Sequence, residues 1–265
     1  MIAELRARDP LLFWTGALMA LALIVVTLVS ISDQRLILGI NPWIKPMKFL
    51  ISITCFLWTT AWFMPETAPD LVRRALVRWT IASAMVIEIA LIIIQAARGT
   101  TSHFNAATPF DLAVFNVMGI TITVNTIAMM LFLWILRRDT PTHCAGYLWG
   151  VRLGVALFVL ASWQGFTMVA NNAHAVPGPD GGPGLPFVNW STVMGDLRSA
   201  HFFGMHAMQA LPLVGFLLDR RVGGNQPSNV TPSASTVVIA TGVLWLVAMG
   251  GLLIIALLGR PFMAR

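Results

Sequence analysis

Seven long apolar runs separated by polar stretches organise the chain: Leu11–Ser30, Ile44–Met64, Trp79–Ala97, Asp111–Leu136, Tyr147–Ala170, Ala200–Leu218 and Thr236–Leu258. A helix needs roughly 20 mainly apolar residues to cross a bilayer, and each run is close to that length. A lone strand in hydrocarbon would leave its backbone groups unpaired, so each run predicts a helix. The pattern gives an all-α, polytopic transmembrane bundle of about seven spans, a single integral membrane domain over residues 1–265. Its first partner is the lipid bilayer.

Composition agrees. Of 265 residues, 57% are hydrophobic and 11% charged, whereas about a quarter of a soluble domain is charged. Mean hydropathy is +0.78. A net charge of +6 would suggest nucleic acid in a soluble chain, but no basic tract with interleaved aromatics is present. Arginines at span ends explain the charge as topology signals, so no nucleic-acid partner is expected.

Alternating the spans gathers Arg6, Arg8, Arg73, Arg74, Arg78, Arg137, Arg138, Arg152, Arg220 and Arg221 on one side. The positive-inside tendency makes that side cytoplasmic, with the C-terminus periplasmic. The first run follows Arg6 and Arg8 as a signal peptide would. Its length, and the lack of a small-x-small site in Leu28–Ser32, mark it as a retained span. Cys55 and Cys144 form no CxxC, and their predicted depths argue against a mutual disulfide. The loop 171–199 contains Pro177, Pro179, Pro183 and Pro186, which keep it from forming a long helix. Its length suits either a lid or a flexible connector. Residues 222–235 read as a linker.

Polar residues inside the runs carry the candidate chemistry, because such groups are costly in hydrocarbon. Lys45, Lys48, Ser52 and Cys55 share one face of the second span. The lysines, the only two in the chain, either snorkel to headgroups or serve a site. Glu88 lies near the middle of the third span, with Gln95 two turns along and Arg98 at the exit. Lys48 is the expected partner of Glu88. The connector after it adds His103, Asn105 and Asp111. Gln164, Thr167 and Asn171 follow i, i+3, i+7 spacing in the fifth span, where amides also serve to join helices. Beside Asp196 and Arg198, the sixth span begins with His201 and His206. Five residues turn a helix by about 500°, so the two imidazoles diverge by roughly 140° and do not chelate one metal from a regular helix. Gly150 and Gly154 form a GxxxG suited to close packing.

Three readings follow. In the first, His103, His201 and His206 ligate haem or a transition metal in a redox role. Lys45, Gln95, Arg98, Asn105, Gln164, Asn171 and Arg198 bind the ligand, which is an anionic small molecule or lipid headgroup. Glu88, Lys48 and His206 handle protons. In the second, the protein is a transporter or channel for an anionic or proton-coupled solute, with Glu88 as the coupling carboxylate. In the third, it modifies lipids in the outer leaflet. A retinal Schiff base is excluded, since Thr236–Leu258 holds no lysine. No H-x3-H metal pair, GxSx motif or P-loop is present.

The strings QAARGTTSHFN (95–105) and GDLRSAHFFGMHAMQALP (195–212) resemble blocks in uncharacterised multi-pass membrane proteins of bacteria. The resemblance implies a bacterial inner-membrane setting and carries no activity.

Overall fold

The computed structural model describes residues 1–136, 145–221 and 233–263. Arg137, Arg138, Cys144, Arg265 and most of the 222–235 linker lie outside the described residues. The fold is all-α. Its helices are α1 (Ile2–Arg8), α2 (Pro10–Ser32), α3 (Ile44–Phe63), α4 (Leu71–Arg98), α5 (Pro109–Ile135), α6 (Ala145–Gln164), α7 (Phe166–Asn171), α8 (Arg198–Met205), α9 (Ala207–Arg221) and α10 (Ala234–Leu257). Seven segments are long and apolar enough to cross a membrane.

Capping residues set the helix ends. Asp9 accepts from the Leu12 N–H to start α2, with Pro10 at the first helical position. Asp70 accepts from the Arg73 N–H to start α4, eight residues before the hydrophobic run begins. Hydropathy missed those two turns because Arg73, Arg74 and Arg78 occupy them. Thr108 and Asp111 bond reciprocally at the start of α5, as in a capping box.

Two of the predicted spans are interrupted. The fifth breaks at Gly165, whose N–H is shared between the Ala161 and Ser162 carbonyls at 3.1 Å each. The sixth breaks at His206, between α8 and α9. The proline-rich loop forms a two-residue ladder of β1 (Ala175–Val176) and antiparallel β2 (Gly195–Asp196) in place of a helix.

The described chain divides into two compact units. The first comprises residues 1–65, 69–128 and the segment 180–189. Within it, α2 approaches α3 at Gly16, where a Cβ would collide with the Trp58 indole. Trp58 Nε1 donates to the Phe13 carbonyl at 3.2 Å. α4 buries Val77, Ile81, Met85, Glu88, Ile92 and Gln95, and exposes Ser83, Val86, Ile87, Ala90 and Ile94. The buried set recurs every three or four residues, and Glu88 falls on it.

The second unit comprises residues 66–68, 129–179 and 190–265. Its seam is α6 against α9. A Cβ at Gly150 would lie 2.5 Å from the Leu211 carbonyl oxygen, and one at Gly154 would lie 2.8 Å from that of Ala207. Glycine here allows backbone to meet backbone. Asp219 of α9 accepts from the Gly146 and Tyr147 N–H groups at 3.3 and 2.7 Å, so it caps α6 from a neighbouring helix. On α10, Trp245 stacks on Phe203 and donates to its carbonyl at 2.9 Å.

Candidate functional site

Glu88 lies ten residues from both Arg78 and Arg98 on α4, about 15 Å along the axis from each at 1.5 Å per residue. Each arginine marks one end of the first unit. Arg78 faces the buried Asp9 at 3.9 Å. There Arg8 also donates to the Trp62 carbonyl at 2.8 Å. Burial raises the Asp9 carboxyl above its ordinary range, against its bond from Leu12 and the Arg78 charge. At the opposite end Arg98 and the Gln95 amide both donate to Asp111 Oδ1, while Thr108 donates to Oδ2 at 2.6 Å. The Arg98 guanidinium also covers the Phe110 ring at 4.5 Å.

Between these clamps Glu88 is 4% exposed. Its Oε2 has no hydrogen-bond partner among the described residues. Lys45 is a cation that acts on it, where Lys48 is the partner expected from depth. Lys48 Nζ instead donates to the Val188 carbonyl at 3.0 Å, in the 180–189 segment. Lys45 Nζ lies 3.1 Å from His103 Nδ1. An ammonium only donates, so Nδ1 accepts and the imidazole proton sits on Nε2. Ser102 Oγ is also 3.1 Å from Nδ1. Phe49, Phe104 and Phe115 surround the ring, with centroids 6.0, 6.1 and 6.3 Å away. His103, expected as a metal ligand, therefore uses its lone-pair nitrogen to hold Lys45.

Asn105, expected to bind substrate, shapes its own loop. Its amide donates to Thr100 Oγ1 and the Thr101 carbonyl at 2.9 Å each, and its oxygen accepts from the Ala107 N–H at 3.0 Å. The α2–α3 connector is clamped in the same way. Asp33 accepts from Arg35 at 2.6 Å and from Trp43 Nε1 at 2.8 Å. These bonds, Arg35 first, hold its carboxyl well below the usual carboxylate range.

The other expected residues belong to the second unit. Gln164 donates to Thr167 Oγ1 at 3.2 Å and to the Leu197 carbonyl at 3.4 Å. Its buried Oε1 has no partner among the described residues. Asn171 closes the following turn by donating to the Ala173 and Ala175 carbonyls. Arg198 is engaged with the fully buried Asp196, through Nε at 2.8 Å and a second nitrogen at 2.6 Å. The two α8–α9 histidines serve different neighbours. His201 Nδ1 is 2.8 Å from the Ala161 carbonyl of α6, and His206 Nδ1 is 2.8 Å from the Phe202 carbonyl one turn back. A carbonyl only accepts, so both Nδ1 atoms carry the proton.

Among the described residues, no group of three or more His, Cys, Asp or Glu side chains is arranged to hold a metal ion. Sequence reasoning passed over His174. Its carbonyl accepts from the Leu197 N–H at 2.9 Å, one turn before His201, and its ring acts electrostatically on His201. Only the β1–β2 ladder brings it there. No family model matches the chain, and neither a curated protein nor a solved structure matches it.

Proposed function

We propose that this multi-pass membrane protein is a proton-coupled transporter in which Glu88 is the coupling carboxylate. Glu88 carries the reading: an acid midway along a spanning helix, buried, with one oxygen lacking a hydrogen bond among the described residues. Ionisable groups at that depth mark ion and proton paths. Lys45 links Glu88 to the membrane surface because it also bonds to His103. A proton arriving on His103 Nδ1 ends that atom's role as acceptor and sets two cations side by side. Lys45 then turns toward Glu88 and favours its ionised form. Loss of the proton from His103 restores the Lys45–His103 bond, and Glu88 is left to take up a proton. Asp9 and Arg78 stand at the opposite end of the same unit. The positive-inside tendency gives that end to the cytoplasm and the His103 end to the periplasm of a bacterial inner membrane.

The test is proton movement in vesicles that contain the purified protein and a trapped pH-sensitive dye. The parent protein dissipates an imposed pH gradient, and Glu88→Gln does not. A Glu88→Gln protein that moves protons as fast as its parent overturns the reading.

A second reading is favoured by the imidazoles of the second unit. With Nδ1 of His201 and His206 bonded to backbone carbonyls, each Nε2 keeps its lone pair. This is the tautomer in which histidine ligates haem iron or a transition metal. An absorbance spectrum and metal analysis test it. Bound haem or metal that is lost in His201→Ala supports a redox role, and a colourless, metal-free protein rules it out.

A further inference from the structure

The connector between α2 and α3 is tied to the end of α4 by Arg35, whose Nη1 donates to the Ala97 carbonyl at 2.9 Å. Beside that bond lies an open cleft of about 680 Å³, a size within the roughly 300–1,000 Å³ of small-molecule sites. Val29 and Ser32 of α2, Ala97 of α4 and Trp43 line it, together with Asp33 and Arg35 of the connector. On α2 the exposed positions Leu18, Leu21, Val25, Val29 and Ser32 recur every three or four residues, as do Ile87, Ala90, Ile94 and Ala97 on α4. Exposed apolar stripes on spanning helices face acyl chains. Both stripes end in the cleft, which therefore lies at the headgroup level, where tryptophan is enriched.

The cleft offers charge of both signs. Helix C-termini carry partial negative charge, and two helices end there, α2 at Ser32 and α4 at Arg98. Asp33 adds a carboxylate. Arg35 supplies the cation, through Nε and Nη2 to Asp33 and Nη1 to Ala97. A guanidinium has five N–H groups, so among the described residues one on each Nη remains to donate. Asp33 lies 2.6 Å from that guanidinium, and the pair cancels at a distance, so a simple anion gains little by approaching. A phosphate with an ammonium beside it meets both signs at once. The site is also preformed. Asn41 donates to the Ser30 and Asp33 carbonyls at 3.1 and 2.7 Å, and Trp43 Nε1 to Asp33 at 2.8 Å, so a ligand has little ordering to offset.

We infer that this cleft binds one zwitterionic phospholipid through a phosphoethanolamine headgroup. The phosphate accepts from the Arg35 Nη atoms, and the ammonium lies beside Asp33 and the ends of α2 and α4. The acyl chains follow the two exposed stripes. The site is separate from Glu88, and its occupancy is read without any proton movement.

Native mass spectrometry of the purified full chain, stripped of lipid in detergent, tests this. Phosphatidylethanolamine and phosphatidylglycerol of matched acyl chains are supplied in equal amounts, and phosphatidylethanolamine should be the first lipid bound. Val29→Trp fills the cleft without touching its charges and should abolish that adduct. Leu244→Trp, at a 69% exposed position of α10, should leave it unchanged. Arg35→Gln should weaken binding about tenfold, the worth of one charge-assisted hydrogen bond. If Arg35→Gln does not fold, Val29→Trp decides alone. An adduct with added glycerophosphoethanolamine in place of the lipid keeps the headgroup chemistry and identifies a soluble ester as its source. Equal binding of the two lipids overturns the inference, as does displacement of the lipid by inorganic phosphate. So does parent-like binding in Val29→Trp or in a folded Arg35→Gln, or an equal loss in Leu244→Trp.

Discussion

The two units bury polar groups for different ends. In the second, several buried polar groups close structure, although Gln164 Oε1 and Glu66 Oε2 also lack a hydrogen bond among the described residues. Asp219 caps α6, Asp196 grips Arg198 and the Ser191 N–H, and glycines let α6 and α9 meet backbone to backbone. In the first, both ends are closed in the same manner by Asp9 and Asp111, but the middle is not. Glu88 sits between them with an oxygen lacking a hydrogen bond among the described residues, and its cation also bonds to a histidine. Polar groups with complete sets of partners define a fold, while an incompletely satisfied acid stores a choice between two charge states. The difference predicts that substitutions in the second unit cost stability and those around Glu88 cost function.

The sharpest way to break this contrast is Asp196→Ala. It leaves Arg198 and the Ser191 N–H without their carboxylate and should lower unfolding stability by about 3 kcal/mol, measured by thermal unfolding in detergent. Gly150→Ala comes next. The atoms a Cβ would strike belong to the α9 backbone, so the helices must separate, at a cost of about 2 kcal/mol. An unchanged melting temperature in either variant would mean that the second unit is not built on these contacts. Glu88→Gln should shift stability by less than about 1 kcal/mol, because a neutral isostere replaces a buried carboxyl group, and yet should abolish proton movement. If it destabilises as strongly as Asp196→Ala, Glu88 is a structural group.

The smallest effect is in pH dependence. Asp9 is raised above its ordinary 3.8, so its contribution to stability is full below that value and is lost as pH rises through the folded-state value. Asp33 is lowered, so its contribution is present above 3.8 and is lost as pH falls. The two oppose each other. Asp9→Asn should remove a gain in stability on acidification toward pH 4, and Asp33→Asn should flatten the loss of stability below pH 4, as read from melting temperatures between pH 3 and 7.

Seven spans were legible because transfer into hydrocarbon is additive along the chain, so a local sum of apolar residues finds them. Helix ends were less so. The first turn of α4 is rich in arginine and is fixed by the Asp70 cap, which hydropathy ignores. The interruptions at Gly165 and His206 left no deficit of apolar residues to detect. The candidate site divided similarly. Helical spacing put Glu88 with Gln95, and Lys45 with Lys48, on common faces, and it separated His201 from His206.

Periodicity fixes which residues share a face of one helix, and the cost of burying charge identifies which of them matter. Both are properties of the sequence. Which lysine acts on Glu88, that His103 holds this lysine, and that His174 comes within a turn of His201 depend on how helices rotate against one another and where loops return. Those positions are set by side-chain packing between distant segments, such as Gly16 on Trp58 and the β1–β2 ladder, and only the tertiary structure decides them.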